Sequence, residues 1–266
     1  NITNGQGDIQ IKFDTVSGQQ VYSGQADLKN IVYDTTRIDT LKVDAIPSQD
    51  FKLVDLAIDL SGRDITPFSA KAQTQINIAA QSAQIKSARL NTQGGNIDVS
   101  GKASLPVLDL RASFANLDVN KLPFVKFEEP VPVNLKKGSI HITGSAQYPV
   151  IVADADVATT VKEAQNISLH VNSVYQNKGV DIDANASGQG IKNLKANIQI
   201  PAVISFNPVA FEFSETAPLR GTADGDFNLN AAVSPFLPEG NRLSGNALLN
   251  ASISGNVSAP ILSGTV

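Results

Sequence analysis

The sequence predicts an all-β protein, a long antiparallel meander, on three observations. Apolar and polar residues alternate with a period of two through most of the 266 residues. Gly, Asn and Pro interrupt that alternation at short intervals, as hairpins do and βαβ units do not. One Gly-to-Pro spacing also recurs along the chain.

The alternating runs justify the strands in order. Ile9, Ile11 and Phe13 alternate with Gln10 and Lys12; Leu41, Val43 and Ala45 with Lys42 and Asp44; Leu56, Ile58 and Leu60 with Ala57 and Asp59. Residues 69–90 are rich in Ala, Gln and Lys and suit a helix by propensity. However, Ile76-Asn77-Ile78 alternates and there is no clean helical stripe, so strand is the expectation there. Further runs are Ile140-His141-Ile142, Ile167-Ser168-Leu169-His170-Val171 and Val180-Asp181-Ile182-Asp183-Ala184. They continue with Ala196-Asn197-Ile198-Gln199-Ile200, Phe227-Asn228-Leu229-Asn230-Ala231 and Leu249-Asn250-Ala251-Ser252-Ile253. Each is expected to bury one side and wet the other. At roughly 13 residues per strand and turn, about 20 strands follow, in a ladder of roughly 100 Å.

Two Pro-rich stretches break the pattern. Residues 120–137 carry Pro123, Pro130 and Pro132, with Lys136-Lys137 expected in a solvated turn; residues 234–240 carry Pro235 and Pro238. Proline cannot donate to a ladder, so both are edge or connecting segments. The chain reads as one continuous repetitive β-domain over residues 1–266, with repeat boundaries near 120–138 and 234–241.

The recurring unit is an apolar residue, Ser or Thr, Gly, four variable residues, then Pro and apolar residues. Val99-Ser100-Gly101 leads to Pro106-Val107-Leu108, Ile142-Thr143-Gly144 to Pro149-Val150-Ile151, and Ile253-Ser254-Gly255 to Pro260-Ile261-Leu262. A looser copy runs from Leu60-Ser61-Gly62 to Pro67-Phe68. The expected structure is a strand ending at Gly62, Gly101, Gly144 or Gly255. A turn follows, then a strand opened by Pro67, Pro106, Pro149 or Pro260.

Composition excludes several functions. Net charge is −4, which is no electrostatic footprint for nucleic acid. Without Cys there is no thiol catalysis, thiolate metal site or disulfide. Charged residues are 17% of the chain, against about 25% in ordinary soluble domains. Asn, Gln, Ser and Thr fill the polar positions instead, which suits wet strand faces of an envelope protein. No apolar run approaches the roughly 20 residues of a membrane helix. With no Met, Asn1 reads as an internal residue of a longer protein, any signal or anchor lying upstream.

The C-terminal stretch resembles a known family. Pro218-Leu219-Arg220-Gly221 leads through Phe227-Asn228-Leu229 to Arg242-Leu243-Ser244-Gly245. Leu249-Asn250-Ala251-Ser252-Ile253-Ser254-Gly255 then runs into Ala259-Pro260-Ile261-Leu262-Ser263-Gly264. The interior segment Leu108-Asp109-Leu110-Arg111-Ala112-Ser113-Phe114-Ala115-Asn116-Leu117-Asp118-Val119 has the same texture. These segments are similar to the repeats of the AsmA-like family of bacterial envelope proteins that includes TamB, over residues 60–266. The resemblance implies a U-shaped, taco-like open β-groove in the Gram-negative periplasm, with an apolar concave face. It further implies an inner-membrane anchor upstream of this fragment and a BamA-type outer-membrane barrel, TamA-like, as partner. Phospholipid acyl chains would be its cargo, carried between the membranes without a cofactor as part of a translocation and assembly module.

The residues support a groove independently. A sheet with one apolar side must cover it, and few convincing helices are available to do so. Aromatics are only 6% of the chain, and many inward candidates are small, such as Ala80, Ala155, Ala184, Ala196 and Ala251. The expected lining is Ile9, Ile11, Leu56, Ile58, Ile76, Ile78, Ile140, Ile142, Ile167, Leu169, Ile182, Ile198, Ile200, Leu229, Leu249 and Ile253.

No catalytic or metal constellation is expected. His141 and His170 alternate with apolar neighbours, so both are expected on the wet side. Asp154 with Asp156, and Asp181 with Asp183, read as solvated strand faces, since no EF-hand pattern surrounds them. No Gly-x-Ser-x-Gly elbow, Walker loop or dinucleotide fingerprint occurs. Phe124, Phe127, Phe206, Phe211 and Phe213 read as core caps rather than plugs of the groove. Two other readings stay open: a chaperone-like factor that guides outer-membrane β-barrel proteins by strand addition, and a structural β-solenoid or adhesin segment of a secreted protein.

Overall fold

A computed structural model describes residues 2–16, 19–33, 36–64, 66–123, 133–161, 165–213, 215–230 and 244–265. The protein is all-β. Among the described residues there are seventeen strands, against an expectation of about 20, with elements of up to 16 residues. They fall into two units, Asn1–Val131 and Pro132–Val266, divided within the Pro-rich segment.

The first unit is a meander of eight strands: β1 (Ile2–Val16), β2 (Gln19–Tyr33), β3 (Thr36–Pro47), β4 (Leu53–Arg63), β5 (Pro67–Asn77), β6 (Ser82–Thr92), β7 (Gly95–Ser104) and β8 (Leu108–Asp118). Each pairs antiparallel with the next. Within 69–90 the chain is strand at 69–77 and 82–90, because Ala70 and Ala72 take places among larger apolar neighbours, opposite Leu60 and Ile58; residues 78–81 turn between them, and Ala80 is exposed there rather than inward. A 3-10 turn at Val119–Lys121 follows, its first turn capped by the Asp118 carboxylate accepting from Asn120 N–H.

The second unit holds β9 (Val133–Gly144), β10 (Pro149–Val161), β11 (Gln165–Gln176), β12 (Gly179–Gly188), β13 (Ile191–Phe206), β14 (Val209–Phe213), β15 (Arg220–Asn228), β16 (Asn246–Gly255) and β17 (Pro260–Thr265). The meander runs β9 to β13, then β15 to β17, every pairing antiparallel. β13 is long enough to serve twice: residues 191–199 pair with β15 and 202–206 with β14. Neither unit closes into a barrel among the described residues. β1 pairs only with β2, and β17 only with β16.

The recurring Gly-to-Pro motif is a hairpin. Gly144 pairs with Pro149, and Gly255 with Pro260, each across a four-residue loop. Ser145 Oγ accepts from Tyr148 N–H at 3.1 Å, and Asn256 Oδ1 accepts from Ala259 N–H at 2.7 Å, at the same loop positions. In the looser copy Arg63 pairs with Pro67, one residue tighter. The copy at Gly101 departs from expectation. Lys102 and Ala103 prolong pairing with Asp109 and Leu108, so the turn moves on and is closed by Ser104 N–H to Val107 O at 2.9 Å. Pro106 therefore lies in the turn, and Leu108 opens the strand.

Lys136-Lys137 is a second correction: both lie inside β9, not in a turn. Val133 and Leu135 continue the alternation and pair with Thr159 and Val157, which carries the ladder past the two lysines. The 234–240 break lies outside the described residues.

Gly144 sits at φ +86°, and a Cβ there would stand 2.6 Å from Tyr148 O. Gly144→Ala is expected to cost about 1–2 kcal/mol in chemical denaturation. Gly179→Ala, whose Cβ would meet nothing nearer than 3.8 Å, is expected to change stability by about 0.5 kcal/mol or less.

Candidate functional site

Strand pairing puts directly opposed residues on the same side of a sheet, so the registers show which side chains form rows. In the first unit one row reads Ile9, Ala26, Val43, Ile58, Ala72, Ala88, Val99 and Ala112 across all eight strands. On the same side, Leu28, Leu41, Leu60, Ala70, Leu90, Ile97 and Phe114 form a parallel row. On the other side run Asp8, Asp27, Lys42, Asp59, Lys71, Arg89, Asp98 and Ser113. Lys71 meets Asp59 at 2.9 Å, and Arg89 grips Asp98 with two hydrogen bonds of 2.5 and 2.9 Å.

The second unit repeats the division. Its central row is Gly138, Ala155, Val171, Ala184, Ala196, Ala223, Ala251 and Gly264. Flanking it are Ile140, Ala153, Ser173, Ile182, Ile198, Gly221, Ile253 and Leu262 on one edge. Leu135, Val157, Leu169, Ala186, Leu194, Gly225 and Leu249 flank the other. A line of small residues thus runs across eight strands between two lines that include Ile and Leu. The opposite side is stitched by amide–carboxylate pairs: Asn172 to Asp154, Asn197 to Asp183 and Asn250 to Asp224, at 3.2, 2.8 and 2.9 Å.

Within each unit, the expected lining residues that lie in strands share the apolar-row side. Most are half-buried, and none of the described side chains is fully buried. Ile9 and Ile11 are 76% and 67% exposed, because β1 has a neighbour on one side only. Two candidates fall outside strands. Ile78 follows β5, exposed, with its N–H donating to Lys52 O. Leu229 follows β15, where its N–H donates to Gly245 O at 2.9 Å. The alternation through 227–231 ends early because β15 stops at Asn228.

One end of the second unit's rows is crossed by the β13–β14 hairpin. The Tyr175 hydroxyl donates to Ile204 O at 3.1 Å and accepts from Ile204 N–H at 2.8 Å. Phe206 N–H donates to Ala146 O at 2.7 Å. Tyr175 and Ala146, which the strap contacts, are buried, as are Ala202 and Ser205 of the strap itself. Phe206 and Phe211, paired within the hairpin, are exposed, which corrects their reading as core caps: at its end the two-stranded hairpin leaves these side chains uncovered. Phe124 and Phe127, like the side chain of Phe213, lie outside the described residues.

Both histidines fall on the polar side, His141 opposite Val152 and His170 opposite Asp156. His170 Nδ1 lies 2.8 Å from Asp156 Oδ1 and Nε2 3.3 Å from Asp154 Oδ2, while Lys137 reaches Asp156 Oδ2 at 3.2 Å. Among the described residues no group of three His, Asp or Glu side chains, this one included, is placed to hold a metal ion.

Among the β-bulges that sequence reading missed, three share one mark, an apolar–Lys–polar–small or apolar quartet. They are Ile85-Lys86-Ser87-Ala88, Leu135-Lys136-Lys137-Gly138 and Ile191-Lys192-Asn193-Leu194. The extra residue lets two consecutive polar side chains stay on the wet side while the apolar rows continue unbroken. The doubled polar residue within an alternating run was the available signal.

No family model, curated protein or solved structure matches the chain. No helix among the described residues is long and apolar enough to cross a membrane.

The Asp156 carboxyl is held below the usual carboxylate range, first by its hydrogen bond to His170 and then by Lys137. A depressed pKa means the pairing is present at neutral pH and is lost as pH falls through the lowered value. Carbon-detected NMR titration is expected to place the Asp156 midpoint below the ordinary value of about 3.9, and His170→Leu to move it upward.

Proposed function

We propose that this protein is a non-catalytic carrier of phospholipid acyl chains, belonging to the TamB and AsmA-like group of envelope proteins. The observation that carries this reading is the apolar row system. In each unit it crosses eight hydrogen-bonded strands without a polar break wider than Ser or Thr. Among the described residues neither unit contributes a long helix to cover it, and the β13–β14 hairpin crosses the second unit's rows at one end. Eight strands at about 4.8 Å spacing make a track of roughly 34 Å, longer than an extended acyl chain. The small central row of the second unit offers room for methylene groups between its Ile- and Leu-bearing flanks. Burying an acyl chain recovers about 0.8 kcal/mol per methylene. Because the row repeats at every strand, a chain that slides exchanges one set of contacts for an equivalent set.

On this reading each sheet curls with the rows on its concave side, forming a U-shaped groove. The protein works in the periplasm between an inner-membrane anchor and a BamA-type barrel.

The test is purification from a bacterial periplasm followed by solvent extraction and mass spectrometry. Phospholipid is expected at near-stoichiometric levels. Ile198→Asp or Leu249→Arg should reduce it tenfold or more, since a charge facing hydrocarbon costs about 2.5–3.5 kcal/mol. Asn197→Asp, on the other side, should leave it unchanged. A folded, lipid-free protein overturns the proposal.

A further inference from the structure

The second unit carries a hollow of about 520 Å³ lined mostly by polar-side residues, with Val157, Leu169 and Ala186 of the flanking apolar row at its border. Its floor is made of short side chains, Ala158, Ser168 and Ser187, which are aligned across β10, β11 and β12. Its walls are two lysines, Lys136 from β9 and Lys192 from β13. Each is the extra residue of a β-bulge, and bulges re-aim side chains. Two separate irregularities of the ladder therefore deliver cations to one place.

The charges around the hollow are unequal. Asp156, the carboxylate in the lining, has both oxygens engaged, by His170 and by Lys137. Lys192 has one contact, at 3.3 Å to Asp226 outside the hollow. Lys136 has no ion-pair partner among the described residues. Lys86, the lysine at the bulge of β6, is by contrast bound to Asp55 at 2.6 Å. Lys136 is thus the cation of the lining left without a carboxylate among the described residues, and Lys192, held by a single 3.3 Å contact to Asp226, stands across the hollow from it. Ser168, Ser187 and Asn185 add short, uncharged donors beside them.

We infer that this hollow binds a phosphate-bearing ligand, with Lys136 and Lys192 supplying charge-assisted hydrogen bonds to its oxygens. The volume suits a phosphate ester with a small polyol or sugar better than a bare phosphate ion. Its polar groups, Ser168, Asn185, Ser187 and the two lysines, are not members of the apolar rows, so the inference does not rest on the acyl-chain reading. The phosphate group could come from a soluble ester or from a lipid headgroup at a membrane surface.

The full chain is titrated calorimetrically with glycerol 3-phosphate. In parallel, it is sedimented with vesicles of phosphatidylglycerol or of phosphatidylcholine alone. Saturable binding of the soluble ester identifies a free ligand; binding only to the anionic vesicles identifies a headgroup. In either case K136Q/K192Q should weaken binding about tenfold or more, while Lys42→Gln/Lys71→Gln, the same charge change on the first unit, should not. Circular dichroism checks that both variants keep their strand content. Failure to bind either probe overturns the inference, as does binding unaffected by K136Q/K192Q or weakened equally by the control pair.

Discussion

Everything in this protein depends on holding strand register. A slip of one residue would turn the whole apolar set of a strand to the wet side. The register is held where Ala, Val, Ile and Leu oppose one another in rows, and where Asn–Asp, Lys–Asp and Arg–Asp pairs oppose one another behind them. Individual exposed pairs contribute little, about 0.2–1 kcal/mol each. What specifies the fold is that both sides agree at every strand. The pairing of Ala184 with Ala196 and of Asp183 with Asn197 states the same register twice.

The bulges show how strongly this constraint acts. At Lys136, Lys192 and Lys86 the chain carries two polar residues in succession, which would reverse the alternation in a regular strand. Instead the ladder absorbs one residue, and Gly138, Leu194 and Ala88 return to the apolar rows. The cost is a local break in the ladder. The gain is continuity of a surface that spans eight strands, together with lysines set at fixed points on the other side. A track for hydrocarbon needs that continuity, and the proposed phosphate hollow uses the displaced lysines.

Most of the meander was legible because strict alternation has one simple solution, and Gly-x-x-x-x-Pro marked two hairpins to the residue at Gly144 and Gly255. What was not legible depended on pairing between segments. Nothing local distinguishes Gly101, whose strand runs on to Ser104, from Gly144, whose strand ends there. Lys136-Lys137 read as a turn because two adjacent lysines beside prolines look solvated, and only Val157 and Thr159 across the ladder show otherwise. The double use of β13, with Tyr175 receiving Ile204, could not be read from composition. Phe206 and Phe211 are apolar enough for a cap, yet the hairpin carries them into the open. The rows themselves, and the small line from Gly138 to Gly264, emerge only when seven registers are combined.

The central claim is that one side of the ladder meets hydrocarbon and the other does not. The chain contains no Trp, so single tryptophans report without background. Tryptophans placed in turn at 182, 183, 184, 196, 197 and 198, with lipids brominated along the acyl chain, measure contact by fluorescence quenching. The account predicts strong quenching at 182, 184, 196 and 198 and little at 183 and 197. Equal quenching at all six positions, or none at any, would contradict it.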